Sequence, residues 1–207
     1  MARVDDYKQS FELAAQELAG RNWLDVARRA GAEHHQDHLA LEYYGRPVRV
    51  GKEPVTVEAG DEGPEIPLAE QALILHYLVN ADGREPEGQW VTFREMPSGE
   101  FYWSAFVKRA KDPLVGFFAS RPKLLLELAP LVGGRPVEEV PGDAVVAVRA
   151  FPRVEFLLQL WEGDEEFPPE GNILMDPVTS HYLSTEDIAL AAGLPIYKMM
   201  ALARQRG

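Results

Sequence analysis

The segment Trp161-Glu-Gly-Asp-Glu-Glu-Phe-Pro-Pro-Glu170 puts five carboxylates into ten residues, between an apolar run and a pair of prolines. Carboxylates this close repel one another, so something should offset them. A hard divalent cation does so through oxygen ligands, which makes Asp164, Glu165, Glu166 and Asp176 a candidate metal set. Arginines or helix N-termini do so too, and Arg94, Arg149 and Arg153 are candidates. The ligand spacing of the helix–loop–helix calcium motif is absent. A solvated acidic turn after a strand accounts for the same residues without any function. Trp161 and Phe167 flank the charges and keep the functional reading open.

A second cluster contains Asp176, His181, Tyr182, Ser184, Glu186 and Asp187. Ser184 with Asp187 three residues on is close to a capping box, with Leu183 as its hydrophobic staple. Capping leaves His181-Tyr182 unexplained, in the loop before the helix. His181 suits a metal or tetrapyrrole ligand, or a general base; a plain hydrogen-bonded histidine is the alternative. Glu33-His-His-Gln-Asp-His38 looks metal-like, but Gly31 should end the preceding helix and no glutamate follows the first histidine, so a surface linker is expected. His76 lies on an apolar helix beside Ala72 and Leu75 and reads as a core-edge histidine with a local partner. His-Tyr-Leu occurs at both His76 and His181, too short a match to be a repeat.

The stretch from Trp90 to Phe106 is rich in aromatics, and a core explains most of them. Arg94 among those rings could hold a carboxylate or phosphate, with Tyr102 adding a hydroxyl. No phosphate-binding glycine loop, nucleophile elbow or dinucleotide fingerprint is present. Thr185 to Arg204 has helix–turn–helix spacing with a turn glycine at 193, but few side chains suited to reading bases. A packed helical hairpin fits that stretch better.

These residues need elements to hold them. Apolar spacing of three and four predicts a first helix from Asp5 to Leu18. Asn22 and Gly31 bracket a short second helix. Leu39 to Val50 alternates around Gly45 as a β-hairpin, and Val55-Thr-Val57 adds a short strand. Pro67 opens a helix whose stripe is Leu68, Ala72, Leu75 and Val79. Trp90 to Arg94 reads as a strand. Phe101 to Phe118 reads as a helix interrupted near Asp112-Pro113, and Leu124 to Val132 as a further helix. Ala144–Ala150 and Val154–Trp161 read as strands, Glu162 to Asp176 as a loop. The C-terminus reads as two helices broken at Gly193-Leu194-Pro195. Helices and hairpins without regular alternation predict a single α+β domain over residues 1–207, with a mixed or mostly antiparallel sheet, packed helices and a C-terminal helical hairpin.

The 207 residues include no cysteine, 21 Lys+Arg and 33 Asp+Glu, for a formal charge of −12. This chain therefore holds no iron–sulfur cluster, disulfide or cysteine nucleophile. The negative field disfavours nucleic acid and anionic membrane as partners. Met1-Ala-Arg-Val-Asp-Asp lacks the apolar segment of a signal peptide, and no run is long enough to span a bilayer, so a cytoplasmic protein is expected.

Several of these motifs also occur together in one family. They are Leu75-His-Tyr-Leu78, Phe93-Arg-Glu95 with Gly99, Tyr102 and Phe106, Phe151-Pro152, Trp161-Glu-Gly-Asp-Glu-Glu-Phe-Pro168, and His181-Tyr-Leu183 with Thr185-Glu-Asp187. On them the chain resembles a bacterial and archaeal domain of unknown function found mainly in anaerobes, over nearly its whole length. Some of those relatives are joined to iron–sulfur domains of the kind seen with corrinoid proteins. The resemblance implies a cofactor setting, with a tetrapyrrole or corrinoid as its ligand.

Three functions are compatible with these readings. The first is a small-molecule or cofactor-binding module of anaerobic metabolism, its pocket formed by Arg94, Tyr102, Trp161, His181 and Tyr182. The second is an enzyme using the acidic loop and a histidine as acid, base or metal ligands. The third is an interaction module whose acidic loop docks on a basic protein partner.

Overall fold

The apolar stripe of α1 (Val4–Ala19) buries Ala14 and Leu18 and packs on α3 (Leu68–Asn80). The computed structural model describes residues 4–206. Met1 to Arg3, part of the stretch read for a signal peptide, lie outside the described residues. α2 (Trp23–Ala30) begins and ends as its caps dictate: the Asn22 side chain accepts from the Asp25 N–H at 3.2 Å, and Gly31 takes a left-handed φ of 68°. α3 starts directly after Pro67.

The strands form two antiparallel sheets. The first runs in the order β1 (Glu33–His34), β2 (His38–Tyr43), β3 (Arg46–Lys52), β4 (Val55–Ala59). Its central hairpin turns on Tyr44 and Gly45, at φ 50° and 73°. Positive φ at both positions matches the right-handed twist of the flanking strands. The second sheet has the order β5 (Val91–Thr92), β9 (Glu170–Met175), β8 (Val154–Trp161), β7 (Ala144–Phe151), β6 (Gly134–Pro136). Phe156, Leu158 and Leu160 enter the main core from one face of β8. Leu157 joins a smaller cluster with Val145 and Ala147 on the other face, so both faces are covered.

The remaining helices are α4 (Gly99–Phe106), α5 (Asp112–Phe118), α6 (Pro122–Leu128) and α7 (Thr185–Arg206). The interruption expected near Asp112-Pro113 is a π-helical turn over Val107–Lys111 that joins α4 to α5. The fold is α+β in a single domain, with both sheets antiparallel. No helix among the described residues is long and apolar enough to cross a membrane.

Three local expectations are corrected. The expected strand from Trp90 to Arg94 is a two-residue strand followed by a 3-10 turn over Phe93–Glu95. The expected loop from Glu162 to Asp176 contains β9, whose pairing with β8 and β5 supplies what its Gly171 and Asn172 lack in strand propensity. The expected C-terminal hairpin is one helix of 22 residues with Pro195 inside it. Gly193 is therefore not a turn glycine. A Cβ there would stand 2.6 Å from the Arg109 carbonyl oxygen, so the glycine lets α7 lie against the π-helical turn.

Candidate active site

Three helices converge on one hydrogen-bonded chain. Ser10 sits on α1 one turn before Ala14, on the stripe that faces α3. His76 sits on α3 one turn after Ala72, at the edge of the buried face. Asp187 lies in the first turn of α7, where the helix dipole favours a carboxylate. Ser10 Oγ is 2.9 Å from His76 Nε2, and His76 Nδ1 is 3.0 Å from Asp187 Oδ1. Ser184 Oγ donates to the other oxygen, Asp187 Oδ2, at 2.6 Å and accepts from the Asp187 N–H at 3.2 Å. The capping pair read from the sequence thus also orients the acid of the chain.

The carboxylate fixes the imidazole. With Nδ1–H donating to Asp187, Nε2 carries the lone pair and accepts the Ser10 hydroxyl proton. The Asp187 hydrogen bond raises the His76 pKa above its usual value, and partial burial opposes it. These groups line a cleft of about 200 Å³ whose walls include Ala69, Leu73 and Leu190. Arg109 also lines it, presented by the π-helical turn, and makes no ion pair among the described residues. π-helical turns recur at functional sites because they displace one side chain from the helical repeat. A serine, an imidazole and a carboxylate in this order are the parts needed for nucleophilic acyl transfer, whatever their chain order.

The residues singled out from sequence are dispersed. Arg94 lies over the Trp103 ring at 4.5 Å, with Glu100 3.4 Å from its Nε. Tyr102 on α4 packs edge-on against Phe101. Trp161 ends β8 opposite Glu170. His181 has both nitrogens engaged, Nδ1 at 2.9 Å from Asp82 and Nε2 at 2.8 Å from an Arg84 N–H. Neither is free to ligate a metal or a tetrapyrrole. Tyr182 is buried, and its hydroxyl donates to the Arg84 carbonyl at 2.6 Å. None of these five residues lines any of the five main clefts of the molecule.

The expected metal set is not assembled. In the β8–β9 register Trp161 faces Glu170 and Phe156 faces Met175. Asp164 and Asp176 therefore lie beyond opposite ends of a strand about 17 Å long. Asp164 is spent on a turn, accepting from the Glu166 and Phe167 N–H groups at 2.8 and 2.7 Å, which hold its carboxyl below the usual range. Glu165 and Glu166 are exposed to solvent. Asp176 is buried and accepts from four N–H groups, those of Glu87, Gly88, Gln89 and Val178. Four donors fill a carboxylate's four lone-pair sites and leave none for a cation. Among the described residues no group of three or more His, Asp or Glu could hold a metal ion.

Ser10 gave no sequence signal, because it lacks the strand–turn–helix context of a nucleophile elbow. His76 and Asp187 were both visible, the one as a partnered core-edge histidine and the other as a cap. Their mutual contact spans 111 residues and has no local signature. No curated protein and no solved structure matches the chain. A family model described as a domain of unknown function (DUF3786) matches residues 22–198, and the chain belongs to that family.

Proposed function

We propose that the protein is a hydrolase of small carboxylic esters, with Ser10 as nucleophile, His76 as general base and acid, and Asp187 as the group that orients His76. The observation that carries this is the unbroken chain from Ser10 Oγ through His76 to Asp187, at 2.9 and 3.0 Å, inside a cleft. Ser10 Oγ attacks the ester carbonyl and its proton passes to His76 Nε2. Arg109 is the cation available to the developing oxyanion. Collapse of the tetrahedral intermediate expels the alcohol, which takes the proton from His76. Water then attacks the acyl-serine with His76 again as base, releasing the acid and restoring Ser10. The cleft volume suits short acyl groups.

The test is hydrolysis of p-nitrophenyl acetate together with labelling by a fluorophosphonate, read by intact mass and peptide mapping. The expected result is a label on Ser10 and a loss of about 10³-fold or more in turnover in Ser10→Ala and His76→Asn. Alanine is the best helix former, so Ser10→Ala should fold. Turnover unchanged in Ser10→Ala, or a label on another residue, overturns the reading.

A further inference from the structure

The Ser10 cleft is lined by two charged groups that the rest of the fold does not use. Glu186 precedes Asp187 in the first turn of α7, and Arg109 belongs to the π-helical turn. Both are exposed, and neither makes a hydrogen bond or ion pair among the described residues, with the other or with a third group. Asp187 differs, because His76 and Ser184 occupy its two oxygens. Opposite charges that line one cleft without pairing leave each available to a ligand.

Tyr7 lies one turn before Ser10 on α1, so its half-buried ring shares the nucleophile's side of the cleft. The face of an aromatic ring attracts a cation. The remaining charge of the lining has the same preference. Asp6, Glu186 and Asp187 stand against Arg109, and His76 is neutral when it acts as a base. The chain's formal charge of −12 adds the same sign at longer range. An anionic substrate is thus disfavoured, and a neutral one leaves Glu186 unused.

We propose that this cleft selects a small organic cation, and that its ester substrates carry a positively charged nitrogen close to the scissile carbonyl. Glu186 and the Tyr7 ring receive the nitrogen, while Arg109 faces the carbonyl oxygen. The substrate statement rests on Ser10 being the nucleophile; the cation site does not. The nitrogen can sit on the acyl side, as in an amino-acid ester, or on the alcohol side, as in a choline ester.

The test uses two pairs of probes that differ only in charge, titrated into the full chain at neutral pH and read by backbone amide shifts. L-Alaninamide against isobutyramide represents the acyl side, and choline against 3,3-dimethylbutanol the alcohol side. The expected result is saturable binding of one cation with a preference of about tenfold over its neutral partner, reduced about three- to fivefold in Glu186→Gln. The pair that shows the preference tells which side carries the charge. The matching esters are then compared by kcat/KM. An α-ammonium activates its own carbonyl, so the readout is the change in the charged-to-neutral ratio between wild type and Glu186→Gln, in which intrinsic reactivity cancels. The proposal is overturned if no cation binds saturably, if cation and neutral partner bind equally, or if Glu186→Gln leaves the preference unchanged. Selective binding that depends on Glu186, without turnover that depends on Ser10, supports the cation site and overturns the hydrolase.

Discussion

The hydroxyl of Tyr44 donates to the carbonyl of Ala191 at 2.6 Å, across 147 residues of chain. That carbonyl is the one Pro195 cannot serve, since a helical residue bonds four positions back and proline has no N–H. The hairpin turn at φ 50° is thus linked to the continuity of α7. Tyr44→Phe should cost about 1–3 kcal/mol, the usual penalty for orphaning a buried polar group. Pro195→Ala restores the helical donor, so the same tyrosine change should cost clearly less in that background. Urea unfolding of the four proteins measures the coupling, and equal costs in both backgrounds would contradict it.

His76 sets a pH dependence whose sign follows from its partner. Asp187 raises the His76 pKa above the ordinary value, against the effect of burial. A general base must be neutral, so ester hydrolysis should rise with pH through an inflection above that of a free imidazole. Asp187→Asn removes the largest cause of the shift and should move the inflection to lower pH while slowing turnover. Stability runs the other way. A raised folded pKa gives stabilisation that is complete below the unfolded value and is lost as pH rises through the folded one. Wild type should therefore lose its advantage over His76→Gln above that inflection. A constant difference from pH 5 to 9 would contradict the pairing.

Asp176 should behave as a structural pin and the acidic loop as a solvated turn. Replacing Asp176 with alanine strands four backbone N–H groups on the 87–89 loop and the following turn. The expected cost is roughly 2–3 kcal/mol or more. Glu165→Ala and Glu166→Ala, both exposed, should stay within about 0.5 kcal/mol of wild type. Millimolar magnesium or calcium should leave the thermal midpoint unchanged. A metal-dependent rise abolished by Asp164→Ala would reinstate a cation in the loop.

The elements with local causes were legible in the sequence. Asn22 and Gly31 bracket α2 as their capping chemistry requires, and Tyr44-Gly45 turns the hairpin where the alternation breaks. Two of the misreadings share one origin, which is a partner distant in the chain, whereas the turn over Phe93–Glu95 has a local cause, the Glu95 carboxylate accepting from the Thr92 N–H and hydroxyl. Pro195 ends most helices, but Tyr44 replaces its lost bond. β9 carries weak strand residues and is made a strand by neighbours on both sides. The two His-Tyr-Leu tripeptides meet, their tyrosine rings stacked at 5.3 Å, although nothing in three residues specifies that. The candidate site is the extreme case, because its three groups come from the first, third and last helices and each has an adequate local explanation.

Gly193 ties the packing of α7 to the cleft. Alanine is favoured over glycine inside a helix by about 1 kcal/mol, so on propensity alone Gly193→Ala should stabilise the protein. Its added Cβ would meet the Arg109 carbonyl oxygen at 2.6 Å, and that atom belongs to backbone that cannot rotate away. Overpacking of this kind costs typically about 1–3 kcal/mol and outweighs the propensity gain. The strain can be relieved by moving α7 off the π-helical turn, which separates Asp187 from Arg109 on the two sides of the cleft. Gly193→Ala should therefore lower the urea midpoint and slow hydrolysis together. Gly116→Ala, on α5 where a Cβ meets nothing within 4 Å, is the control and should be neutral or stabilising. If both substitutions stabilise equally, α7 does not lie as close to Arg109 as the carbonyl contact requires.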